Sequence, residues 1–210
     1  MIPGGRQPLL LASGSPRRVA LLEAAGIAFE RGAAPGVDET PEPGWSARTT
    51  AQRLAERKAC AGLGAAPGRH VLGADTVVAV DGLLLGKPRD AADAEAMLGR
   101  LQGREHEVLT GVALATPGGL WSEVAVARVR MAPLSPSQVR DYVAGGEPMD
   151  KAGAYALQGE ASAFTRVVLG EADTVVGLSV ALVRRLLAAA EAPDGYAALR
   201  RPPCAPRPRP

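Results

Sequence analysis

LLLASGSPRR, residues 9–18, reads as a short buried strand, a tight turn and the start of a helix. Leu9, Leu10 and Leu11 form an apolar run bounded by small residues. Ser15 followed by Pro16 places an N-cap residue before the one helical position that tolerates proline. The helix has room to run to Gly26, a residue that stops helices. Arg17 and Arg18 then fall in the first turn, at the positive end of the helix dipole, where cations are disfavoured. Neither has an acidic residue three or four positions on to pair with. An anionic ligand would remove the conflict. Gly14, the hydroxyls of Ser13 and Ser15 and the free amides of the helix start supply the remaining parts of a phosphate cradle. The competing reading is a pair of solvated surface arginines.

The rest of the composition narrows what such a cradle could serve. At 210 residues and 47% hydrophobic content the chain can bury a sizeable core, and we expect one domain. A formal net charge of +2, with the basic residues scattered, argues against nucleic acid and for a small-molecule substrate. Cys60 falls in a predicted helix and Cys204 in a proline-rich tail, so neither a disulfide nor a cysteine metal site is expected. That usage suits a reducing, cytoplasmic home. No apolar run approaches the roughly 20 residues of a membrane span, and no membrane association is expected.

Along the chain, a second strand begins near residues 27–29, and the loop after it holds Asp38 and Glu39, the first free carboxylates. From Ser46 the periodicity predicts a long helix with Ala47, Ala51, Leu54 and Ala55 on one face, and Lys58 falls on that same face. A lysine there either snorkels to water or serves an active site. VLGADTVVAV, residues 71–80, reads as a central strand buried on both faces, with Asp75 in its middle. A carboxylate in that setting is costly to ionise unless a metal, a cation or several donors compensate, the alternative being a turn aspartate after Gly73. Asp81 and Gly82 form a hairpin turn that brings residues 83–85, and Lys87 after them, back towards Asp75.

A structural helix is predicted at 91–101, and strands at 107–115 and 120–130 joined through Pro117, Gly118 and Gly119. A helix follows with Ser135, Pro136 and Gln138 as a capping box. EPMDKAGAYALQG, residues 147–159, is polar, glycine-bearing and irregular, in the manner of functional loops. A strand near 163–169 and a helix over 179–190 close the fold, so that residues 1–192 form the domain and residues 193–210, rich in proline and arginine, a disordered tail. Zinc, EF-hand, dinucleotide and P-loop signatures are missing from the sequence.

Five blocks in order, LASGSPRR, VDET, GADTVVAVDG with LGKP, TGVAL, and DKAGAYALQG followed by VVGLS, resemble the Maf family of nucleoside triphosphate pyrophosphatases. The resemblance implies an α/β fold with an elongated, twisted mixed sheet flanked by helices, a nucleotide cleft and a homodimer. It also implies hydrolysis between the α and β phosphates to a nucleoside monophosphate and pyrophosphate, with magnesium, manganese or cobalt. Carried over residue by residue, Ser13, Arg17 and Arg18 would hold the triphosphate, and Lys58 and Lys87 would neutralise it. Glu39 and Asp75 would bind the metal and activate water, Asp75 as proton acceptor. Arg17 in SPRR, Thr76 after the aspartate and Gln158 in YALQG resemble the dTTP and UTP subgroup rather than the 7-methyl-GTP one. The chain departs from the family pattern at Ser179, in place of a proline, and at Gly170, Glu171 and Ala172, in place of a glycine-serine-tyrosine. Because the family has also been linked with arrest of septum formation and cell division, a nucleotide-binding regulator is the alternative, and a different phosphate hydrolase on a similar cleft is a third reading.

Overall fold

The apolar run that opens the cradle is strand β1 (Leu9–Ala12), and the helix after it is α1 (Pro16–Ala24), followed by β2 (Phe29–Gly32). The computed structural model describes residues 8–192, 197–202 and 204. The remaining elements are α2 (Ala47–Ala65), β3 (Val71–Val80), β4 (Leu83–Leu85), α3 (Ala91–Leu101), β5 (Glu105–Thr116), β6 (Gly119–Met131), α4 (Pro136–Ala144), β7 (Thr165–Leu169), α5 (Ala172–Val176), α6 (Val180–Glu191) and β8 (Arg200–Arg201). The strands form one mixed eight-stranded sheet in the order β2-β1-β3-β5-β6-β7, with β4 paired to β3 and β8 to β6. This is the α/β architecture that the sequence led us to expect. The chain divides into two compact units and passes between them inside β3, β5 and β6.

Of the described residues, the first unit holds 8–75, 110–125, 177–192, 197–202 and 204. In it β1 pairs in parallel with both β2 and β3, which requires the crossovers that α1 and α2 supply. Leu9, Leu11, Leu22, Leu72, Leu114 and Leu186 make one apolar core there. Helix α2 lies on the sheet at two glycines. A Cβ on Gly73 would stand 2.3 Å from the Ala55 carbonyl oxygen, and one on Gly111 would stand 2.1 Å from that of Ala51. Ala51, Ala55 and Ala59, all fully buried, complete this close approach. The hydroxyl of Ser46 caps the helix by accepting from the Thr49 amide. Ser179 stands as N-cap of α6 and accepts from the Leu182 amide.

The second unit holds residues 76–109 and 126–176. Asp81 and Gly82, at φ 50° and 75°, make the hairpin turn, which pairs Val80 with Leu83 and Val78 with Leu85. Positive φ at both central residues matches the twist of the flanking strands. The capping box at Ser135 forms with both of its hydrogen bonds. Residues 147–163 contain three short 3₁₀ turns, Glu147–Asp150, Ala152–Ala154 and Glu160–Ala163, in place of a longer helix or strand.

Two expectations fail at the C-terminal end. Cys60 and Cys204 are joined in a disulfide with a Cα–Cα distance of 5.4 Å, although 144 residues separate them along the chain. Residues 197–202, placed by their composition in a disordered tail, are seated on the first unit. Arg200 and Arg201 pair antiparallel with Trp121 and Leu120 of β6, and Leu199 is buried in the core. One leucine and two residues able to pair with β6 suffice to dock a segment that a covalent bond also holds, and averaging composition over the tail conceals them. Residues 193–196, 203 and 205–210 of the predicted tail lie outside the described residues. No described helix is long and apolar enough to cross a membrane.

Candidate active site

In the first unit the glycine contacts of α2 press the lysine-bearing face of the helix against the middle of β3. Lys58 Nζ lies 2.7 Å from Asp75 Oδ1 and 2.8 Å from Glu39 Oε2. Lys58 and Asp75 are buried, at 8% and 7% exposure, while Glu39 reaches in from the surface. The odd lysine on the apolar face is therefore a bridge between two carboxylates. Snorkelling does not describe it.

The loop carrying Glu39 is fastened by the residue next to Lys58. The Arg57 guanidinium donates to the carbonyl oxygens of Asp38 (3.3 Å) and Thr40 (3.4 Å) on either side of Glu39, pairs with Glu42 and sits 4.9 Å over the Trp45 ring. The Asp38 carboxylate accepts from the Thr40 amide at 2.8 Å, which tightens the loop and holds the Asp38 carboxyl below its ordinary range.

Burial pushes the Asp75 carboxyl above its ordinary pKa. Lys58 and Arg18 pull the other way, and the neighbouring charge of Glu39 adds to the rise. Arg18 is lowered by burial, against the attraction of Asp75. Its Nη1 donates to Ser13 Oγ at 2.9 Å and its Nε to the Gly177 carbonyl at 2.9 Å. The Ser15 amide donates to the same Ser13 hydroxyl at 3.2 Å. The strand-turn-helix thus forms as read, with Ser15 as N-cap, except that the Ser15 side chain caps no amide. A Cβ on Gly14 would meet nothing within 4 Å, so this turn is open to a ligand. Arg17, half-buried, stands beside Arg18 at the start of α1.

Within this unit, then, Glu39, Lys58 and Asp75 come together, and Ser13 joins Arg18. The other three predicted residues belong to the second unit. Thr76 follows Asp75 on β3 and is half-buried, Lys87 is exposed on the loop after β4, and Gln158 is exposed on the loop between the last two 3₁₀ turns. The carbonyl of Gly86, beside Lys87, accepts from the Gly153 amide at 3.0 Å.

The sequence reading missed how the Gln158 loop is built. The Tyr142 hydroxyl donates to Glu147 Oε1 at 2.7 Å and accepts from the Ala156 amide at 3.2 Å. Glu147 Oε2 accepts from the Glu160 amide at 3.0 Å, and a Cβ on Gly159 would collide with that carboxylate. Tyr155 packs edge-to-face on His106, hydroxyl to Nε2 at 2.7 Å. Burial lowers the His106 pKa to about 4. Glu147 and Tyr155 within the irregular polar stretch, with Tyr142 on the helix before it, were the available signal.

The carboxylates of Asp75 and Glu39 converge on one cation, here the Lys58 ammonium, and offer hard oxygen donors. No group of three acidic, histidine or cysteine side chains suited to a metal occurs among the described residues. Two carboxylates fit a magnesium-like ion whose remaining positions go to phosphate oxygens and water, and do not fit an ion caged wholly by protein.

The Maf-like protein family matches residues 8–190. A protein of Symbiobacterium thermophilum named dTTP/UTP pyrophosphatase is 53% identical over 176 residues, covering 82% of this chain and 88% of that protein. One of Yersinia pestis with the same name is 46% identical over 180 residues, covering 85% of this chain and 91% of that protein. Among solved structures, the Ham1 protein of Staphylococcus aureus aligns with 88% of this chain and all of that chain, at 13% identity and a TM-score of 0.48.

Proposed function

This chain belongs to the Maf family, and from that membership and its site we propose that it hydrolyses dTTP and UTP to the nucleoside monophosphate and pyrophosphate. The observation that carries the reading is the buried Asp75, whose carboxyl is raised by burial and bridged by Lys58 to Glu39, next to the Arg18–Ser13 pair at the start of α1. Arg17, Arg18, Ser13 and the first amides of α1 bind phosphate oxygens. Lys58 neutralises charge that grows on them as the anhydride breaks, with Lys87 taking the same role by the family pattern. The Asp75 carboxylate accepts the proton of the attacking water. That water's oxygen adds to phosphorus, the bridging P–O bond between the α and β phosphates breaks, and the bond pair leaves on pyrophosphate. A raised pKa makes Asp75 a better proton acceptor than an ordinary surface carboxylate. Glu39 and Asp75 would hold the divalent ion, magnesium, manganese or cobalt, which supplies Lewis-acid charge stabilisation and acidifies bound water.

Thr76 and Gln158 are the residues to which this reading assigns base selection, on the family pattern. The amide of Gln158 can both donate to and accept from a base edge. A regulator that only binds nucleotide has no use for a buried carboxylate among phosphate-binding cations, which would weaken its hold on an anion. The test is a panel of nucleotides incubated with the full chain and each metal, with products identified by phosphorus NMR. Monophosphate and pyrophosphate from dTTP and UTP support the assignment, and release of orthophosphate overturns it. The same reading takes the enzyme as a homodimer, which light scattering of the eluted protein checks.

A further inference from the structure

Helix α2 has two working faces. Lys58 looks towards Asp75 and Glu39. Gln52, Glu56 and Cys60 recur every fourth residue and so line a different stripe, and Glu56 and Cys60 each stand two positions from Lys58, about 200° around the helix. The C-terminal strap, residues 197–202 with Cys204, is fixed to that stripe at every one of its three positions. Cys60 is bonded to Cys204. Buried Glu56 lies 3.8 Å from Arg201 Nε and accepts from the Ser122 hydroxyl at 2.6 Å. With its amide oxygen turned to the guanidinium, Gln52 accepts from Arg201 Nε at 2.9 Å and Nη2 at 3.0 Å. Arg201 also donates to the Ser122 hydroxyl and carbonyl, at 3.1 and 3.2 Å. Four acceptor groups therefore surround one guanidinium, a built seat and not a chance contact.

The strap lies outside residues 8–190, the part matched by the family. Its own secondary structure is a 3₁₀ turn at residues 197–199 and a strand of two residues, too short to order a proline-rich segment by pairing alone. Buried Leu199, the seat of Arg201 and the covalent bond to α2 hold it together, and the bond is the one tie among them that a reductant can cut.

We propose that the Cys60–Cys204 bond makes this strap a redox-controlled clamp on the helix that carries Lys58. A dithiol reductant opens it. The reductant's thiolate attacks one sulfur, the other cysteine leaves as a thiolate and takes a proton, and the reductant's second thiol displaces the first cysteine while closing its own disulfide. The protein gains two electrons and two protons, and the dithiol loses them. A small-molecule disulfide runs the exchange backwards. In the clamped state the seat of Arg201 braces the stripe of α2 behind Lys58. In the released state Gln52 loses its cation, Glu56 keeps Arg53 at 3.0 Å and the Ser122 hydroxyl at 2.6 Å, and the brace that Arg201 lays across the stripe is gone.

The test uses the full chain, oxidised with glutathione disulfide or reduced with dithiothreitol, and three readouts. Alkylation with iodoacetamide followed by intact mass should add nothing to the oxidised chain and two groups to the reduced one. Hydrogen exchange should show the α2 amides of residues 52–63 exchanging about tenfold faster after reduction, since local opening no longer has to carry the strap. Cys204→Ser should exchange at the reduced rate in both buffers, and Cys60→Ser reports the same from the helix side. Nucleotide hydrolysis, kcat/KM, should fall at least about threefold on reduction of the native chain and show no redox dependence in Cys204→Ser. Two reactive thiols in the oxidised chain, equal exchange in the two states, or a redox effect that survives in Cys204→Ser overturns the clamp. So does a native chain whose hydrolysis is indifferent to reduction. Absence of hydrolysis in both states counts against the function proposed above, and alkylation and exchange then decide the clamp by themselves.

Discussion

Lys58 and Asp75 face each other at 2.7 Å with both side chains nine-tenths buried, and yet the Asp75 carboxyl is raised rather than lowered. Loss of hydration outweighs the attraction of a full ammonium at hydrogen-bond distance. The folded protein therefore keeps a proton on Asp75 to higher pH than the unfolded chain does. Stability from this group is full below the ordinary carboxylate pKa and is lost as pH rises through the raised one. Asp75→Asn removes that loss along with the charge. Turnover should drop by about a hundredfold or more, the range for losing a general base, while the melting temperature at neutral pH is held or raised. Both are read on one purified variant. Near-normal turnover would refute the assignment, and a collapsed melting temperature with full activity per folded molecule would make Asp75 structural.

Removing the other partner has the opposite character. Lys58→Met keeps the length of the side chain and leaves Asp75 buried without its cation. A loss of about 3 kcal/mol in urea unfolding at neutral pH is expected, the cost of stranding one member of a buried pair. The loss should shrink in acid, where Asp75 is neutral. An unchanged midpoint would show that the pair contributes nothing beyond contact.

Arg17 stands at the start of α1 beside the open turn at Gly14. If it holds the triphosphate alike in ground and transition states, Arg17→Ala should raise KM about tenfold or more with kcat little altered, the size of one lost charge-assisted contact. Steady-state kinetics over a range of dTTP concentrations decides it. A fall in kcat at constant KM would assign Arg17 to the transition state alone.

His106 gives the second unit an acid limit. Its folded pKa is about 4 against 6.5 for the free side chain, because burial penalises the imidazolium. The stability this represents is full above the unfolded value and is lost as pH falls from 6.5 towards 4, about 3 kcal/mol in all. Denaturant midpoints measured across that range should fall for the native chain and fall less for His106→Phe. Parallel slopes would mean that His106 charges without penalty.

How much of this was legible in the sequence depended on whether the signal was local. β3 was read to its residue limits, and the hairpin at Asp81 and the capping box at Ser135 were plain, since each is decided by residues a few positions apart. Asp75 and Lys58 stood out separately, as charges where apolar residues belong. Their pairing did not, because α2 meets β3 through Gly73, and a missing side chain leaves no mark in a hydrophobicity pattern. Arg57 was invisible for another reason, since its two carbonyl acceptors are backbone atoms that carry no residue identity. The disulfide and the strap were misread because both depend on distant chain neighbours, 144 residues away for the disulfide and 79 for the bond of Arg201 to Ser122.

The contact of α2 with Gly73 and Gly111 sets how freely this protein can vary. Most cores tolerate exchange among side chains of similar volume, since neighbours can shift to refill the space. Here peptide backbone lies on peptide backbone, with no side chain between to be traded. A library that shuffles Leu, Val and Ala elsewhere in the first unit would return many functional members. At these two glycines it should return only the parent residue, so evolvability is lowest where the molecule has the fewest atoms.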